Sequence, residues 1–293
     1  MPLVPMGPML RHARAGHYAI AAYNMIDYNS GRSIVDAAVE LQAPVIVQVS
    51  VKTVRHWGYK PAATFVRLLA EDADVPVGLH LDHCTDLDVI ERCIDAGWTS
   101  VMFDGSALPF EENLAKSAGV YVRTQAAGIG LEAEIGAIGG VEDDKVVGEG
   151  AQKLANLDEC VKFCAAMPEL AVFAPAIGTA HGFYKGEPKI AYDLLERITQ
   201  KVATPIALHG GTGLSREQFD RCIALGCGKV NISTMHKHQF IDAFFSLKRD
   251  NYKLEEPLPF IAAQYDGMKR DVIDMIRIFG SAGKAADARR AYA

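Results

Sequence analysis

The stretch Gly78-Leu79-His80-Leu81-Asp82-His83-Cys84 completes an apolar run that begins at Val75 and ends at Leu81. An apolar run that turns abruptly polar is typical of a buried parallel strand where it leaves its sheet. Asp82 and His83 place a carboxylate and an imidazole there, two groups that bind metals or transfer protons near neutral pH. Asp86 can then cap a helix that ends before Gly97.

Seven further strand segments recur along the chain, each followed by a helix or a helical turn. The eight predicted strands are His17–Tyr23, Pro44–Ser50, Val75–Leu81, Ser100–Ser106, Gly128–Gly136, Leu170–Ile177, Pro205–Leu208 and Lys229–Ile232. A repeat of roughly thirty residues is the rhythm of a (β/α)8 barrel. An open doubly wound sheet also alternates, but eight units without a glycine-rich dinucleotide turn after the first strand favour closure.

The predicted fold class is therefore α/β, a (β/α)8 TIM barrel with a helical C-terminal extension. We expect a single domain over residues 1–293, with the barrel at about 17–250 and the helical arm at about 255–293. The glycine-rich acidic segment 139–150 is expected to be a long functional loop.

Composition excludes several classes of function. The net charge of −6, without a Lys/Arg cluster, argues against nucleic-acid binding. The start of the chain lacks the pattern of a signal peptide, and no apolar run reaches membrane-spanning length. Six cysteines in a chain this long indicate unpaired thiols in a reducing compartment, so a cytoplasmic location is expected.

The C-terminal ends of all eight strands meet at one mouth of a barrel. Here these ends carry Asn24, Ser50, Asp82, His83, Asp104, Glu134, His181, His209 and Asn231. Three imidazoles far apart in sequence can converge there and form a zinc site with one open position. Strict alternation would point Asp82 and His83 to opposite faces, so we expect the chain to have left the sheet at His83.

A single histidine at a strand end is more often an unliganded polar residue, and only the coincidence of three favours a metal. His80 lies two residues before the strand end and is expected to support a ligand rather than bind metal. The remaining histidines are expected to be surface or helix residues: His12, His17, His56, His236 and His238.

Gly210-Gly211-Thr212-Gly213 follows the seventh strand and opens a helix, while Asn231 to Thr234 ends the eighth. Glycines let backbone N–H groups close on an anion, and barrels often hold a phosphate between these two loops. A purely structural role, in which the glycines only form a tight turn, is an equally open interpretation of this motif alone.

Taken together and in order, six motifs resemble the class II (zinc-dependent) fructose/tagatose-bisphosphate aldolases, a likeness that extends from about Tyr18 to Lys284. The motifs are His80–His83, Leu131–Gly136, Gly139–Asp143, Ala176–Gly182, Leu208–Gly213 and Val230–Thr234.

The resemblance implies that His83, His181 and His209 hold Zn2+, with Asp104 and Glu134 close to the metal. It implies a site for the 1-phosphate half of a sugar phosphate, with a monovalent cation near it as a further candidate. The residues implied to line that site are Gly182, Gly210, Gly211, Thr212, Asn231, Ser233 and Thr234, and Asn24 and Ser50 match positions near the sugar. The family is usually dimeric or tetrameric, so a homodimer or homotetramer is expected.

The implied reaction is cleavage of a ketose 1-phosphate or 1,6-bisphosphate to dihydroxyacetone phosphate and an aldehyde such as glyceraldehyde 3-phosphate. The metal stores the electrons released at the broken bond. Asp82 would take the C4 hydroxyl proton, and Glu142 would handle the proton at C3 of dihydroxyacetone phosphate. A Schiff base is less favoured, because Lys229 is expected at the wrong end of its strand and Lys52 and Lys185 in loops.

Three positions depart from the family pattern. Leu258 stands where an arginine usually holds the distal 6-phosphate, Thr212 replaces a serine, and Met235 replaces a glutamate. Losing a guanidinium that binds a dianion is not neutral. We therefore hypothesise that the aldehyde half is unphosphorylated, or is bound by another cation such as Arg55 or Lys185.

Three alternatives follow. A metal-dependent hydrolase on this barrel would need a His-x-His pair in the first strand, and Tyr18 to Asn24 has none. A non-catalytic binding relative would have lost a zinc ligand or Asp82, and all are present. An aldolase for another dihydroxyacetone-phosphate adduct, a deoxygluconate or sulfo-sugar phosphate, is a closer rival because of Leu258.

Overall fold

The computed structural model describes residues 3–142, 145–147, 153–184 and 186–292, with the backbone alone at 141, 142 and 145–147. Over these ranges the strands are β1 Ile20–Asn24, β2 Val45–Ser50, β3 Val77–Cys84, β4 Ser100–Phe103, β5 Gly130–Ile135, β6 Gly139–Glu142, β7 Lys145–Val147, β8 Val172–Pro175, β9 Ala180–His181, β10 Ile206–Leu208 and β11 Cys227–Ile232. Eight of them close into a parallel barrel in the order β1-β11-β10-β8-β5-β4-β3-β2. The predicted (β/α)8 barrel is confirmed.

Helices surround the barrel, and the first and last elements of the chain are also helices. They are α1 Met6–Ala15, α2 Tyr28–Glu40, α3 Val51–Trp57, α4 Tyr59–Glu71, α5 Leu87–Asp95, α6 Phe110–Ala127, α7 Leu157–Ala166, α8 Tyr192–Lys201, α9 Arg216–Ala224, α10 Thr234–Asp250, α11 Leu258–Ile278 and α12 Ala285–Arg290. Asp86 caps α5, and Ser215 caps α9 through a reciprocal bond with Gln218, as local sequence predicts.

Helix α1 and the interior side chains fill the lower end of the barrel. Met6, Met9 and Leu10 are fully buried and belong to the same apolar cluster as Ile20 of β1 and Val172 of β8. A Cβ at Gly78 of β3 would lie 3.0 Å from Met9 Cε, so α1 packs directly against the strand. The upper end, where the strands finish, carries the polar side chains.

The C-terminal helices are present, as predicted. Helix α11 packs along α2 and α10, whereas α12 returns to α1 at the lower end. Tyr292 donates its hydroxyl to the carbonyl of Pro5 at 2.7 Å, which ties the two ends of the chain together. None of the helices in the described ranges combines the length and apolar character that a bilayer-crossing segment needs.

The segment predicted as a long loop contains regular structure. Strand β6 pairs antiparallel with β7 and parallel with β9, with Gly140 opposite His181. The prediction of an irregular loop over 139–150 is wrong for 139–142 and 145–147. The reason is non-local: the segment that carries His181 supplies the backbone partners that the local sequence lacks.

Candidate active site at the barrel mouth

Three histidines converge at the upper end of the barrel. His83 belongs to β3, His181 to β9, and His209 follows β10 directly. Their ring centroids are 4.6 Å apart for His83 and His209, 5.0 Å for His83 and His181, and 5.8 Å for His181 and His209. One nitrogen of each ring lies within 4.8 Å of the others. Such a cluster can hold a metal ion.

His83 reaches this cluster through a local distortion of β3. Its φ is +43°, a left-handed conformation that is uncommon for a residue other than glycine. The pairing of β3 with β4 shifts register between Leu81 and Cys84, as in a β-bulge. Strict alternation predicts that the chain has left the sheet at His83, and this prediction is wrong. The chain bulges there instead, which turns His83 toward the site while Asp82 keeps its inward direction.

Two carboxylates border the histidines. Asp104 Oδ2 lies 3.2 Å from His83 Nδ1. Glu134 Oε2 lies 3.9 Å from the same nitrogen and 3.7 Å from His209 Nδ1. His83, Asp104 and Glu134 form a second group of possible ligands. The fold therefore brings both of the predicted acidic residues beside the histidines.

The chemistry of His209 fits a metal ligand. Its Nδ1 is buried and has no hydrogen-bond partner among the described residues. Burial lowers the pKa of His209 to about 4, which keeps the imidazole neutral at physiological pH. Neutral imidazole is the form that binds metal, so the donor set suits a divalent cation.

Beneath this cluster lies Glu132, which the sequence analysis did not assign to the site. Its Oε1 accepts from His209 Nε2 at 2.7 Å, and its Oε2 lies 2.8 Å from Lys229 Nζ and 3.2 Å from His80 Nε2. Burial opposes ionisation of Glu132, but the Lys229 charge and the two imidazoles lower its pKa well below the usual range. Its separation of two residues from Glu134 was the available signal, because both then face the interior.

Lys229 corrects a prediction. The sequence places it at the wrong end of its strand, yet β11 begins at Cys227 and Lys229 lies inside it, fully buried in the barrel. Its ammonium group contacts Glu132 and Asn231. His80, also fully buried, lies beside the same carboxylate and contacts Ser100 Oγ at 3.0 Å, in the supporting position expected for it.

Asp82 is held by amides from two neighbouring strands. Its Oδ2 accepts from Asn24 Nδ2 at 2.8 Å and from Gln48 Nε2 at 3.3 Å. Oδ1 is also buried, and no side chain or backbone group in the described ranges donates to it. Gln48, which also donates to Asn24 Oδ1, was missed, although a lone amide in the apolar strand Pro44–Ser50 was a usable signal.

The glycines after β10 are required by close packing. Gly210 has a φ of +67°, and a Cβ there would lie 2.4 Å from the carbonyl oxygen of Ala180. A Cβ at Gly211 would lie 2.9 Å from the carbonyl oxygen of Asn231. The glycine turn therefore lies against both the end of β11 and the segment before His181.

Tyr184 joins these loops and was not anticipated. Its hydroxyl accepts from the backbone N–H of Ala180 at 3.0 Å and donates to the carbonyl of Gly210 at 2.7 Å. Gly182, with a φ of +88°, lies in the same turn. Of the remaining residues predicted for the phosphate side, Thr212 and Asn231 are buried, Ser233 directly precedes α10, and Thr234 begins it.

The other predicted residues lie at the mouth, elsewhere in the fold, or outside the described ranges. Ser50 is buried at the end of β2. The side chain of Glu142 and all of Lys185 lie outside the described residues. The five other histidines are surface or helix residues, as predicted. Among them, His236 of α10 is fully buried, with its ring edge-on to Tyr23 at 5.0 Å. Its Nδ1 lies 3.9 Å from Asp271 Oδ2 of α11, so α11 covers this part of α10.

Comparison with known proteins identifies the family. The model of the family described as "Fructose-bisphosphate aldolase class-II" matches residues 4–284. The chain belongs to this class II aldolase family. The family and its aldolase-named relatives indicate that the protein is a lyase.

Several proteins named as aldolases match nearly the whole chain. The fructose-bisphosphate aldolase of Geobacillus stearothermophilus is 40% identical over 98% of this chain and 100% of its own length. The sulfofructosephosphate aldolase of Alkalicoccus urumqiensis is 35% identical over 94% and 96%. The crystal structure of the YdjI aldolase from Escherichia coli K12 superposes with a TM-score of 0.84 at 27% identity, covering 97% of this chain and 99% of that one. Relatives of similar identity thus carry different substrate names.

Proposed function

We propose that this protein is a zinc-dependent aldolase, which reversibly cleaves a ketose 1-phosphate or 1,6-bisphosphate to dihydroxyacetone phosphate and an aldehyde such as glyceraldehyde 3-phosphate. One observation carries this proposal. His83, His181 and His209 converge within 4.8 Å at the same barrel mouth that holds Asp82 and the glycine turn. The reaction class is inferred from the family, and the role of each residue is inferred from its place in the site.

His83, His181 and His209 would hold the Zn2+, with Asp104 and Glu134 beside it. When bound, a zinc ion supplies Lewis-acid polarisation of the substrate's C2 carbonyl, so that the electrons of the broken C3–C4 bond are accommodated. His209 supports this role because its Nδ1 is buried, faces the cluster and belongs to an imidazole that stays neutral near pH 7.

Asp82 is the proposed base for the C4 hydroxyl. In cleavage, Oδ1 accepts the hydroxyl proton as the C3–C4 bond breaks and the C4 carbonyl forms. In condensation it returns the proton to the new hydroxyl. Asn24 and Gln48 support this role, since their amides hold Oδ2 and thereby orient the carboxylate.

The phosphate of the ketose is proposed to bind between the glycine turn and α10. Gly210, Gly211 and Thr212 would present backbone N–H groups, and Ser233 and Thr234 lie at the N-terminus of a helix of 17 residues. A helix N-terminus favours an anion through its exposed N–H groups and its dipole. Gly182, Asn231 and a monovalent cation beside the phosphate complete the proposed site.

Glu142 is proposed to exchange the proton at C3 of dihydroxyacetone phosphate. The backbone supports this role, because β6 ends at Glu142 and pairs with β9, which carries His181. Asn24 and Ser50, at the ends of neighbouring β1 and β2, are proposed to contact the sugar.

The aldehyde half of the substrate is the least constrained part of the proposal. Leu258 begins α11 and is 68% exposed. Asn29 of α2 donates to the carbonyl of Ile261 at 3.0 Å, which brings this end of α11 beside the loop that follows β1. Arg55, the rim cation after β2, is engaged with Asp86 at 3.0 Å. An unphosphorylated aldehyde, or a sulfo-sugar or deoxygluconate adduct, is therefore the alternative.

We also propose that the protein is a single-domain homodimer or homotetramer of the cytoplasm. Large apolar side chains are exposed near the α10–α11 junction: Ile241, Phe244, Phe245, Tyr252, Leu258 and Ile261. Exposed apolar groups concentrated in one hairpin are typical of a subunit interface. The six cysteines are all buried thiols, which suits a reducing compartment.

A panel of ketose phosphates, assayed with and without a chelator, tests the function. We expect cleavage that releases dihydroxyacetone phosphate, is abolished by chelation and returns with added Zn2+. Turnover that survives complete metal removal would contradict the proposal. Comparing fructose 1,6-bisphosphate with fructose 1-phosphate then tests the aldehyde half, and a strong preference for the bisphosphate would refute an unphosphorylated aldehyde.

A further inference from the structure

Lys229 is a charged residue in a place where charge is unfavourable. It is fully buried in β11, in register with Ile20 of β1 and Ala207 of β10. Its partner Glu132 is also fully buried, with Nζ and Oε2 2.8 Å apart. A buried ion pair is usually no more stable than a packed apolar pair of similar volume. Stability alone therefore does not account for this pair.

The pair is connected to His209. Glu132 Oε1 lies 2.7 Å from Nε2 of His209, which places the ring proton on Nε2 and leaves the Nδ1 lone pair toward His83 and Glu134. Partners of this kind orient metal-binding imidazoles and select the nitrogen that binds. Lys229 Nζ lies beside the other carboxylate oxygen, Oε2. Its positive charge compensates the negative charge that makes Glu132 a strong hydrogen-bond acceptor.

Lys229 has a second contact with a consequence for the substrate. Its Nζ donates to Asn231 Oδ1 at 2.6 Å. An ammonium group only donates, so this bond determines which way the Asn231 amide is turned. Nδ2 then lies 3.3 Å from His209 Nε2, and because both atoms are donors the amide hydrogens stay available to a ligand.

We propose that Lys229 is a positioning residue, which orients His209 toward the metal through Glu132 and orients the Asn231 amide toward the substrate by direct contact. The inference rests on the proposed function for the roles of His209 and Asn231. No reacting atom touches Lys229 in this scheme. It couples the metal ligand set to the site for the ketose half, because one ammonium group contacts both supports.

Lys229→Met in metal-free protein labelled with 15N-histidine tests the first contact without using activity. The wild type should show His209 as the single Nε2–H tautomer, identified by its loss in His209→Asn. The variant should show a tautomer mixture, and zinc affinity measured against a fluorescent chelator should fall roughly 10- to 100-fold. Lys201→Met, at the exposed end of α8, is the matched control and should change neither quantity.

A double variant separates positioning from stability. Lys229→Met with Glu132→Leu replaces the pair by apolar groups and should unfold at nearly the wild-type temperature. It should still bind zinc weakly and lack the single tautomer. Wild-type tautomer and zinc affinity in either folded variant would overturn the proposal. Because the tautomer is read without metal, it tests positioning even if the wild type proves to have no aldolase activity.

The second contact predicts a kinetic split. In Lys229→Met saturated with zinc, KM for fructose 1-phosphate should rise at least several-fold beyond any change in Lys201→Met, because the Asn231 amide is free to turn. An unchanged KM in the zinc-saturated variant would overturn the substrate half of the proposal.

Discussion

Asn24 donates its side-chain amide to Oδ2 of Asp82 at 2.8 Å, across 58 positions of sequence. Gln48 reinforces this arrangement by donating to both residues. The consequence is a buried carboxylate with one oxygen engaged and the other, Oδ1, accepting nothing from the described part of the chain. This asymmetry is what the proposed role of Asp82 as a base requires, and the first prediction follows from that proposal.

Asp82→Ala should retain zinc and lose turnover by roughly 10²- to 10⁴-fold, the usual contribution of a general base. Asp82→Asn keeps the shape and should lose activity to a similar degree, because an amide cannot accept the C4 proton. Zinc content and kcat are the measurements. Asp72→Ala, on the exposed surface after α4, serves as the control. A variant at Asp82 that turns over normally would remove its assigned role.

Removing a residue that only supports a metal ligand typically lowers metal affinity by about 10- to 100-fold. Single replacement of His83, His181 or His209 by alanine should therefore weaken zinc binding by at least about 10-fold. His238→Ala is the matched control, since this side chain is exposed on α10 and 3.9 Å from Asp242. Metal analysis and chelator competition provide the readout. If the three ligand variants bind zinc as tightly as His238→Ala and the wild type, the proposed ligand set is ruled out.

Leu258→Arg should favour bisphosphorylated substrates. A hydrogen bond to a charged group contributes about 1.5–3 kcal/mol, so the ratio of kcat/KM for fructose 1,6-bisphosphate over fructose 1-phosphate should rise roughly 10- to 100-fold. Leu258→Met, which keeps the side chain apolar, should leave the ratio unchanged. If the arginine leaves the ratio unaltered as well, the distal group does not bind near this end of α11.

Acidification should destabilise the metal-free protein. Burial lowers the pKa of His209 to about 4 and also lowers that of His80, both from an ordinary value of 6.5. The unfolded chain then binds more protons than the folded one below pH 6.5, so the free energy of unfolding falls as the pH decreases from about 6.5 to 4. His209 alone contributes on the order of 3 kcal/mol over this window.

Urea unfolding of the metal-free protein at pH 7 and pH 5 measures this effect. His56→Gln, on the exposed end of α3, should retain the full loss of stability. His209→Gln should show a smaller loss, since its contribution is removed. Equal stability of the wild type at the two pH values would contradict burial of neutral histidines.

Phe245→Glu with Tyr252→Glu should dissociate the proposed oligomer, because it places charge on the apolar surface of the α10–α11 junction. These side chains are 67% and 81% exposed in the subunit. Val122→Glu, at a side chain of α6 that is 65% exposed, is the control. Light scattering after gel filtration gives the molar mass. A wild type that elutes as a monomer would refute the interface.

Much of the fold was predictable because its signals are local. Each barrel strand is a short apolar run that ends in polar residues, and the caps at Asp86 and Ser215 lie beside the helices that they start. Helix α1 and the strands at 139–142 and 145–147 were not predicted. Their formation depends on surfaces supplied by distant parts of the chain, namely the barrel floor for α1 and the Ala180–His181 segment for β6.

The candidate site divides in the same way. Asp82, His83 and His209 could be named because they lie at the ends of barrel strands, and strand polarity brings all C-terminal ends to one mouth. His181 lies farther along, in β9, which follows the barrel strand β8. Gln48 and Tyr184 could not be placed, since their roles consist of bonds to Asp82, Asn24 and Gly210 across the fold.

The amino-acid sequence by itself determined the eight barrel strands and most of the polar groups at the mouth, because periodicity and polarity are properties of short segments. Only the tertiary structure decided which groups share a partner. The bulge at His83 and the burial of Lys229 against Glu132 depend on register between neighbouring strands and on desolvation by the closed barrel. Neither quantity exists until distant residues are packed together.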